Sequence, residues 1–398
     1  MNHAEPDHPQ HQHARVPPWR NVRVLRVLLQ VAVLLGTAVF IGFLARNLAD
    51  AMSDRGLSFN YGFLDERAGF EIGESPIRYD ASESYGQAFL VGLLNTLFVS
   101  VLGIVLATVL GVIVGVARLS PNWLVNRVAA GYVEIIRNTP LLVQLLLIYF
   151  AISLQLPAVR DTINLPGSIF LNQRGLFVPG PQPGSSFGVW LALLAVGVAA
   201  AVAGRIIAGR RESAGGRGHH LGTIGLLLLL GLAVAAWILP AEPPLTFEPP
   251  VRGRFNFSGG LALSTPFMAL LGGLVIYTAA FIGEVVRGGI QAVRRGQVEA
   301  AHALGLSHGD TLRLVVFPQA LRVIVPPLTS QYLNLAKNSS LAIAIGYPDL
   351  FKIGATMANQ TGQSVPVIAL IMGTYLSMSL VTSLLMNIYN RRVQVLER

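Results

Sequence analysis

The chain has no cysteine among its 398 residues, and this excludes disulfides, thiol catalysis and cysteine-ligated metal sites together. Lysine is nearly absent as well, since Lys337 and Lys352 are the only two. A phosphate-binding loop needs Gly-Lys followed by Ser or Thr, and neither lysine stands in that context. The sequence also lacks the His-Glu-x-x-His pattern of a zinc site. We therefore predict that the chain is not an enzyme and holds no metal or cofactor of its own.

Charge is scarce too, because 12% of the residues are charged against 53% that are hydrophobic. The hydrophobic residues form long runs, several of them near the twenty residues that a helix needs to cross a bilayer. The sequence predicts an all-α polytopic membrane protein with about eight transmembrane helices. The predicted spans are 25–45, 88–117, 124–155, 188–208, 220–239, 265–290, 320–346 and 366–390.

The distribution of arginine predicts how these spans are oriented. The net charge of +9 could indicate a nucleic-acid partner, but the arginines lie in short segments between the apolar runs, which is typical of membrane topology. We predict no nucleic-acid partner, an inner (plasma) membrane protein of a bacterium, and both termini in the cytoplasm. Residues 1–24 are predicted to be a disordered tail, 25–45 the first transmembrane helix and 46–87 an acidic periplasmic loop. A signal peptide for the first span and metal binding by the His-rich tail are the less favoured alternatives.

Two ionisable residues fall inside predicted spans, where charge is costly and marks function. Glu284 lies late in the sixth span and Lys337 in the seventh. Their opposite signs suit a zwitterion: Lys337 would meet a carboxylate, assisted by Asn338, Ser339 and Ser340, and Glu284 an amino group. The alternative is an internal pair, Glu284 with Lys337 or with Arg287, that only fixes helix packing.

Smaller features complete the membrane region. Arg137, Asn138 and Thr139 form a polar cluster before Pro140, either an anion site or an anchor at the inner face. The glycines of the second span, among them Gly111, predict close helix packing.

A soluble-looking helical hairpin lies between the sixth and seventh predicted spans. Glu299 stands in the first turn of a predicted helix, and Gly305 supplies the freedom to end it. Ser307 and Asp310 predict a capping box that opens a second helix, which is expected to stop at Pro318. The alternative is an amphipathic helix resting on lipid headgroups.

Several motifs occur in the order typical of one family, namely Asn95–Leu97, Tyr132–Gln144, Glu284–Ile290, Gln297–Gly305, Phe317–Ala320 and Lys337–Leu341. In these motifs the chain resembles the permeases of ABC importers for polar amino acids, the His/Glu/Gln/Arg/opine branch. The resemblance covers about residues 85–394, and the long outer loop and the added hairpin resemble the larger permease subunit of general L-amino-acid uptake systems. It implies a type I importer transmembrane domain over 88–394, with 188–239 as an added helical hairpin.

The resemblance also implies the partners. Residues 291–319 would be the cytoplasmic coupling loop, in which Glu299, Ala300, Ala301 and Gly305 dock on an ABC ATPase dimer that binds ATP and Mg²⁺. A periplasmic binding protein would deliver an L-amino acid, a second permease subunit would complete the pathway, and membrane lipid would surround it. An ion-coupled secondary transporter and a membrane scaffold or channel subunit are the other functions that we carry forward.

Overall fold

The computed structural model describes residues 22–54, 60–213, 243–253 and 256–393, together with a few positions between 227 and 237. The chain divides into two units, residues 1–63 and 64–398. In the first unit, α1 (Val22–Asp54) is a single helix that includes the candidate membrane span Leu25–Ala51. It runs past the predicted end at residue 45 because Ala, Leu and Met, all good helix formers, continue the sequence. The predicted loop 46–87 therefore starts as helix, and most of the predicted tail 1–24 lies outside the described residues.

The second unit is built mainly of helices. Their bounds are α2 (Tyr85–Ala117), α3 (Trp123–Asn138), α4 (Leu141–Leu146), α5 (Phe187–Ser213), α6 (Thr265–Gln291), α7 (Arg295–Ala303), α8 (Phe317–Asn338), α9 (Leu350–Thr361) and α10 (Ser364–Val393). Within the described residues, six helices are long and apolar enough to cross a membrane, or seven if the bent pair α3 and α4 forms one span. The predicted span 220–239 lies largely outside the described residues. The predicted helical membrane fold is confirmed, and the number of eight is not.

Helices α2 and α6 form the centre of the bundle, and glycine lets them approach closely. A Cβ at Gly111 would lie 2.5 Å from a side-chain carbon of Ile282, and a Cβ at Gly115 would lie 2.7 Å from the carbonyl oxygen of Gly283. Only a residue without a side chain fits there, as in small-residue interfaces of membrane helices. The close packing predicted for the second span is confirmed.

The third predicted span, 124–155, is broken. Helices α3 and α4 meet at an angle of 106°, with Thr139 in extended conformation at the bend. Pro140 explains the bend because proline disfavours helical conformation in the residue before it and cannot donate a backbone hydrogen bond. The Gln144 side-chain nitrogen spans the bend, donating to the carbonyl oxygens of Ile136 and Thr139 at 2.9 Å each. A buried glutamine therefore holds the two arms together.

Short strands cover the end of the bundle where α6 begins, and none of them was predicted. They are β1 (Ile163–Leu165), β2 (Ile169–Asn172), β3 (Gly175–Val178), β4 (Gly180–Pro183), β5 (Leu245–Glu248), β6 (Val251–Arg252), β7 (Phe257–Ser258) and β8 (Leu261–Ser264). One antiparallel sheet has the order β1-β2-β3-β8, while β4 pairs with β5 and β6 with β7. The Thr265 hydroxyl donates to the carbonyl oxygen of Gln173 at 2.6 Å, which attaches the sheet to the start of α6.

Candidate functional site

A polar cavity of about 260 Å³ lies between α6 and α8, and we call it the amide cavity. It is lined by Tyr277, Thr278, Phe281, Gln331, Asn334 and Asn338. These side chains offer hydroxyl and amide groups and no formal charge, so they can donate and accept hydrogen bonds with either end of a polar ligand. Asn338 was predicted as a substrate residue, whereas the other five were not, because uncharged polar residues inside an apolar span gave no distinct signal.

The other residues predicted around Lys337 do not line the amide cavity. Lys337 is exposed. Ser339 is buried and its hydroxyl donates to the carbonyl oxygen of Ala336 at 2.7 Å. The Ser340 hydroxyl donates to the carbonyl oxygen of Lys337 at 2.8 Å. Both hydroxyls thus bond to backbone where α8 tightens into the 3-10 segment Ser339–Ile345, and this gives them a structural use.

Glu284 lies in a cluster of charges. Its carboxylate forms an ion pair with Arg118, which directly follows α2. It forms a second ion pair with Arg287, one turn further along α6, at an N–O distance of 3.0 Å. The Glu284–Arg287 pair is the packing alternative that the sequence left open, and Arg118 was not anticipated because it is distant in sequence. Two guanidinium groups therefore already engage the carboxylate that was predicted to bind an amino group.

The same cluster borders a second cavity of about 430 Å³, which we call the charged cavity. It is lined by Arg118, Ala130, Val133, Glu134, Arg137, Asn138, Phe281 and Glu284. Two residues of the predicted polar cluster, Arg137 and Asn138, lie here, whereas the Thr139 hydroxyl donates to the carbonyl oxygen of Ile135 at 2.9 Å. Glu284 and Asn338 thus line different cavities.

Phe281 lines both cavities. The guanidinium carbon of Arg137 lies 5.1 Å from the centre of the Phe281 ring, within the range of a cation–π contact. The Tyr277 ring, which lines the amide cavity, lies 4.9 Å from Phe281 between ring centres. The Phe281 side chain therefore borders the uncharged cavity and the charged one.

The predicted coupling loop is a short helix followed by a glycine turn. Of the predicted docking residues in α7, Glu299 and Ala300 are exposed while Ala301 is buried. Gly305 adopts a positive φ of 79°, as predicted for the residue that ends the helix. Leu304 just before it is 83% exposed, more than any other large apolar residue in the described part of the chain. The turn therefore presents an apolar tip.

The predicted capping box is confirmed, but the stop at Pro318 is wrong. Ser307 accepts the backbone N–H of Asp310 at 3.1 Å and its hydroxyl donates to the Asp310 carboxylate at 2.6 Å. The chain then forms the π-helical segment Thr311–Val316 and continues directly into α8. Pro318 falls in the first turn of α8, where the fixed φ of proline suits the helix.

Residues 305–309 also spell the Gly-x-Ser-x-Gly pattern of hydrolases. That pattern needs a strand before the serine and a helix after it. Here α7 precedes Ser307, and the Ser307 hydroxyl is engaged in the capping box. The match is therefore a helix cap and gives no sign of a nucleophile.

A buried acid, Asp349, and a half-buried acid, Glu74, lie at the end of the bundle where α6 begins, and the sequence analysis did not identify them. Asp349 is fully buried and caps α9 by accepting the Lys352 backbone N–H at 2.9 Å. Burial raises the pKa of Asp349 to about 6. Burial also raises the pKa of Glu74, whose carboxylate accepts a hydrogen bond from Ser264. The position of Asp349 before a helix gave a signal for its capping role, but nothing in the sequence indicated its burial.

Comparison with known proteins places this arrangement among membrane components of transport systems. The family described as the binding-protein-dependent transport system inner membrane component matches residues 107–395. The chain belongs to this family and is a multi-pass inner-membrane permease.

Two relatives match nearly the whole chain. The general L-amino acid transport system permease protein AapQ of Rhizobium johnstonii is 43% identical over 388 residues, covering 96% of this chain and 94% of the relative. The putative amino-acid ABC transporter permease protein YhdX of Escherichia coli K12 is 44% identical over 382 residues, covering 96% and 97%. A crystal structure of an amino acid ABC transporter with histidines covers 77% of this chain and 95% of its own, with a TM-score of 0.46 and 23% identity.

Proposed function

We propose that this chain is the membrane-spanning subunit of an ATP-driven importer for L-amino acids. A periplasmic binding protein delivers the amino acid, a second permease subunit completes the pathway, and an ABC ATPase dimer on the cytoplasmic side binds ATP with Mg²⁺. Both chain termini face the cytoplasm, so that α7 points toward the ATPase and the strands cover the periplasmic end. AapQ and YhdX, which match nearly the whole chain, are both named as amino-acid permeases, and this supports the substrate class.

The observation that carries this proposal is the amide cavity. An amino acid that crosses the bilayer must exchange the hydrogen bonds it makes with water for equivalent ones inside the protein. Gln331, Asn334 and Asn338 on α8 face Thr278 and Tyr277 on α6, which supplies donors and acceptors for both ends of the molecule. We propose that Asn338 contacts the substrate directly, while Lys337 draws the carboxylate electrostatically along the pathway.

The same geometry suggests how force reaches the substrate. From Thr311 to Asn338 the chain is helical, first as π-helix and then as α8, which contains Pro326 and Pro327 in its interior. A push on the tip at Leu304 would therefore move one continuous helical arm whose far end carries Asn334 and Asn338. Closure of the ATPase dimer would tilt α8 against α6 and change the shape of the amide cavity.

The test is uptake of radiolabelled L-glutamine into liposomes that contain both permease subunits, with and without the ATPase, with the binding protein outside and ATP inside. Uptake is expected only when ATPase, ATP and binding protein are all present. Uptake that follows an ion gradient and ignores the ATPase would instead identify a secondary transporter. An assembled complex that hydrolyses ATP without moving any amino acid would identify a scaffold.

A further inference from the structure

The charged cavity is lined by charged side chains that have no role in the transport function proposed for the amide cavity. Glu284 is bound by two guanidinium groups, those of Arg118 and Arg287, so this part of the cluster has an excess of one positive charge. Glu134 and Arg137 line the cavity as well, and both are exposed. The cluster with its neighbours therefore favours a ligand that brings a carboxylate.

The Arg137 side chain is available to bind a carboxylate. Its guanidinium carbon lies 5.1 Å from the centre of the Phe281 ring, and this contact uses none of the five N–H donors in an ion pair. Among the described residues, no carboxylate lies within ion-pairing distance of Arg137. A planar carboxylate can therefore bind to its edge with two parallel hydrogen bonds.

Glu134 stands one turn before Arg137 on α3, so the two side chains share a face of the helix. They form no ion pair with each other in the described structure, although their charges are opposite. In an α-amino acid the ammonium and carboxylate groups are attached to the same carbon atom. Neighbouring side chains of opposite charge are thus spaced to bind both groups at once, and a cavity of about 430 Å³ falls within the usual size range of small-molecule sites.

We propose that the charged cavity is a second amino-acid site, in which Arg137 binds the α-carboxylate and Glu134 the α-ammonium group. This inference rests on the proposed importer function, and it adds a binding site that the amino acid reaches after the amide cavity. Glu284 lies two turns before the end of α6 at Gln291, and Arg118 directly follows the end of α2, so the site lies nearer the cytoplasm in the proposed orientation. Phe281 borders both binding sites.

The direct test is equilibrium dialysis of the assembled permease–ATPase complex with radiolabelled L-glutamine, without binding protein or nucleotide. L-Glutamine is chosen because its only charges are the main-chain groups. Unlabelled L-glutamine should compete, whereas L-glutamine amide, which lacks the carboxylate, and N-acetyl-L-glutamine, which lacks the ammonium group, should not. Arg137→Gln should raise the Kd about tenfold or more, and Arg137→Lys should restore part of the affinity.

Two further variants give specific readouts. Glu134→Gln should lose discrimination against N-acetyl-L-glutamine, because the carboxylate that selects the ammonium group is gone. Asn338→Ala, in the amide cavity, should leave the dependence on the carboxylate intact. Arg127→Gln is the matched control, since Arg127 lies exposed on the same helix and does not line the cavity. It should bind as the unmodified complex does.

An unchanged Kd in Arg137→Gln, or loss of all binding in Asn338→Ala, would overturn the second site. ATP-driven uptake is measured on the same preparations of the unmodified complex. If that uptake is normal while Arg137→Gln binds normally, the second site is refuted and the importer function stands. If the unmodified complex neither binds nor imports L-glutamine, the importer proposal itself fails for this substrate class.

Discussion

Replacing Leu304 by alanine separates docking on the ATPase from folding of the permease. Leu304 is 83% exposed at the tip that follows α7, so its side chain contributes little to the packing of its own chain. If the ATPase buries this tip, truncation of the Leu304 side chain removes apolar area that would lose contact with water on docking. The loss is about 2 kcal/mol for a leucine side chain, which corresponds to about a 30-fold weaker association.

The measurement is a titration of purified ATPase dimer against the permease pair in lipid nanodiscs, with the melting temperature of the permease pair recorded in parallel. Leu380→Ala is the matched control, because Leu380 is 62% exposed on the membrane-spanning part of α10. Both variants should melt within a degree or two of the unmodified protein, and only Leu304→Ala should lose affinity for the ATPase. Affinity within threefold of the unmodified value for Leu304→Ala would refute the docking role of this tip.

Four other changes test separate parts of the argument. Glu299→Lys reverses a charge on the exposed face of α7 and should abolish ATP-driven uptake while immunoblots still find the chain in the membrane; normal uptake would remove Glu299 from the docking surface. Gly305→Asp forces a side chain into a positive φ at a cost of about 1 kcal/mol, and since a Cβ there meets nothing within 4 Å, uptake should fall mainly through the added charge, so Gly305→Asn should retain more of it. Gly111→Ala should lower the melting temperature by several degrees because its Cβ would lie 2.5 Å from the facing helix, whereas Gly272→Ala, with nothing within 4 Å, should not; equal effects would contradict the close packing. Asp349→Asn keeps a capping oxygen and removes a buried carboxylate whose pKa is raised to about 6. The stability that protonated Asp349 contributes below pH 4, and that is lost as pH rises through 6, should then no longer vary with pH, whereas the contribution of Glu74 should remain. We expect a gain at pH 7 of at most about 3 kcal/mol in the free energy of unfolding.

The sequence predicted the features that depend on local chemistry. Span lengths follow from the hydrophobic thickness of a bilayer, the cap at Ser307 from side-chain hydrogen bonding, and the turn at Gly305 from the conformational freedom of glycine. These signals lie within a few residues of each other, so one sequence is enough to detect them.

The sequence analysis did not predict the features that depend on residues far apart in the chain. Glu284 was recognised as a charge inside the membrane, but its partner Arg118 comes from another helix and only packing of α2 on α6 brings them together. The break before Pro140 was missed because the polar cluster Arg137–Thr139 was interpreted as an anion site or an anchor and not as the end of a helix. The strands are at most four residues long, too short for an alternating pattern to be distinguished from loop sequence.

The difference between the two cavities follows from what a transport pathway must do. A site inside the membrane has to bind its substrate well enough to receive it and weakly enough to release it. Uncharged hydroxyl and amide groups satisfy that condition, since their net hydrogen bonds contribute only about 1 kcal/mol each, whereas those to charged groups contribute up to about 3 kcal/mol. Arg137 and Glu134 are more exposed than the buried core around them, so water screens the stronger attraction of their charges for a zwitterion. In the pathway that we propose, the charged cavity therefore attracts the amino acid from the amide cavity past Phe281 without holding it too tightly for release.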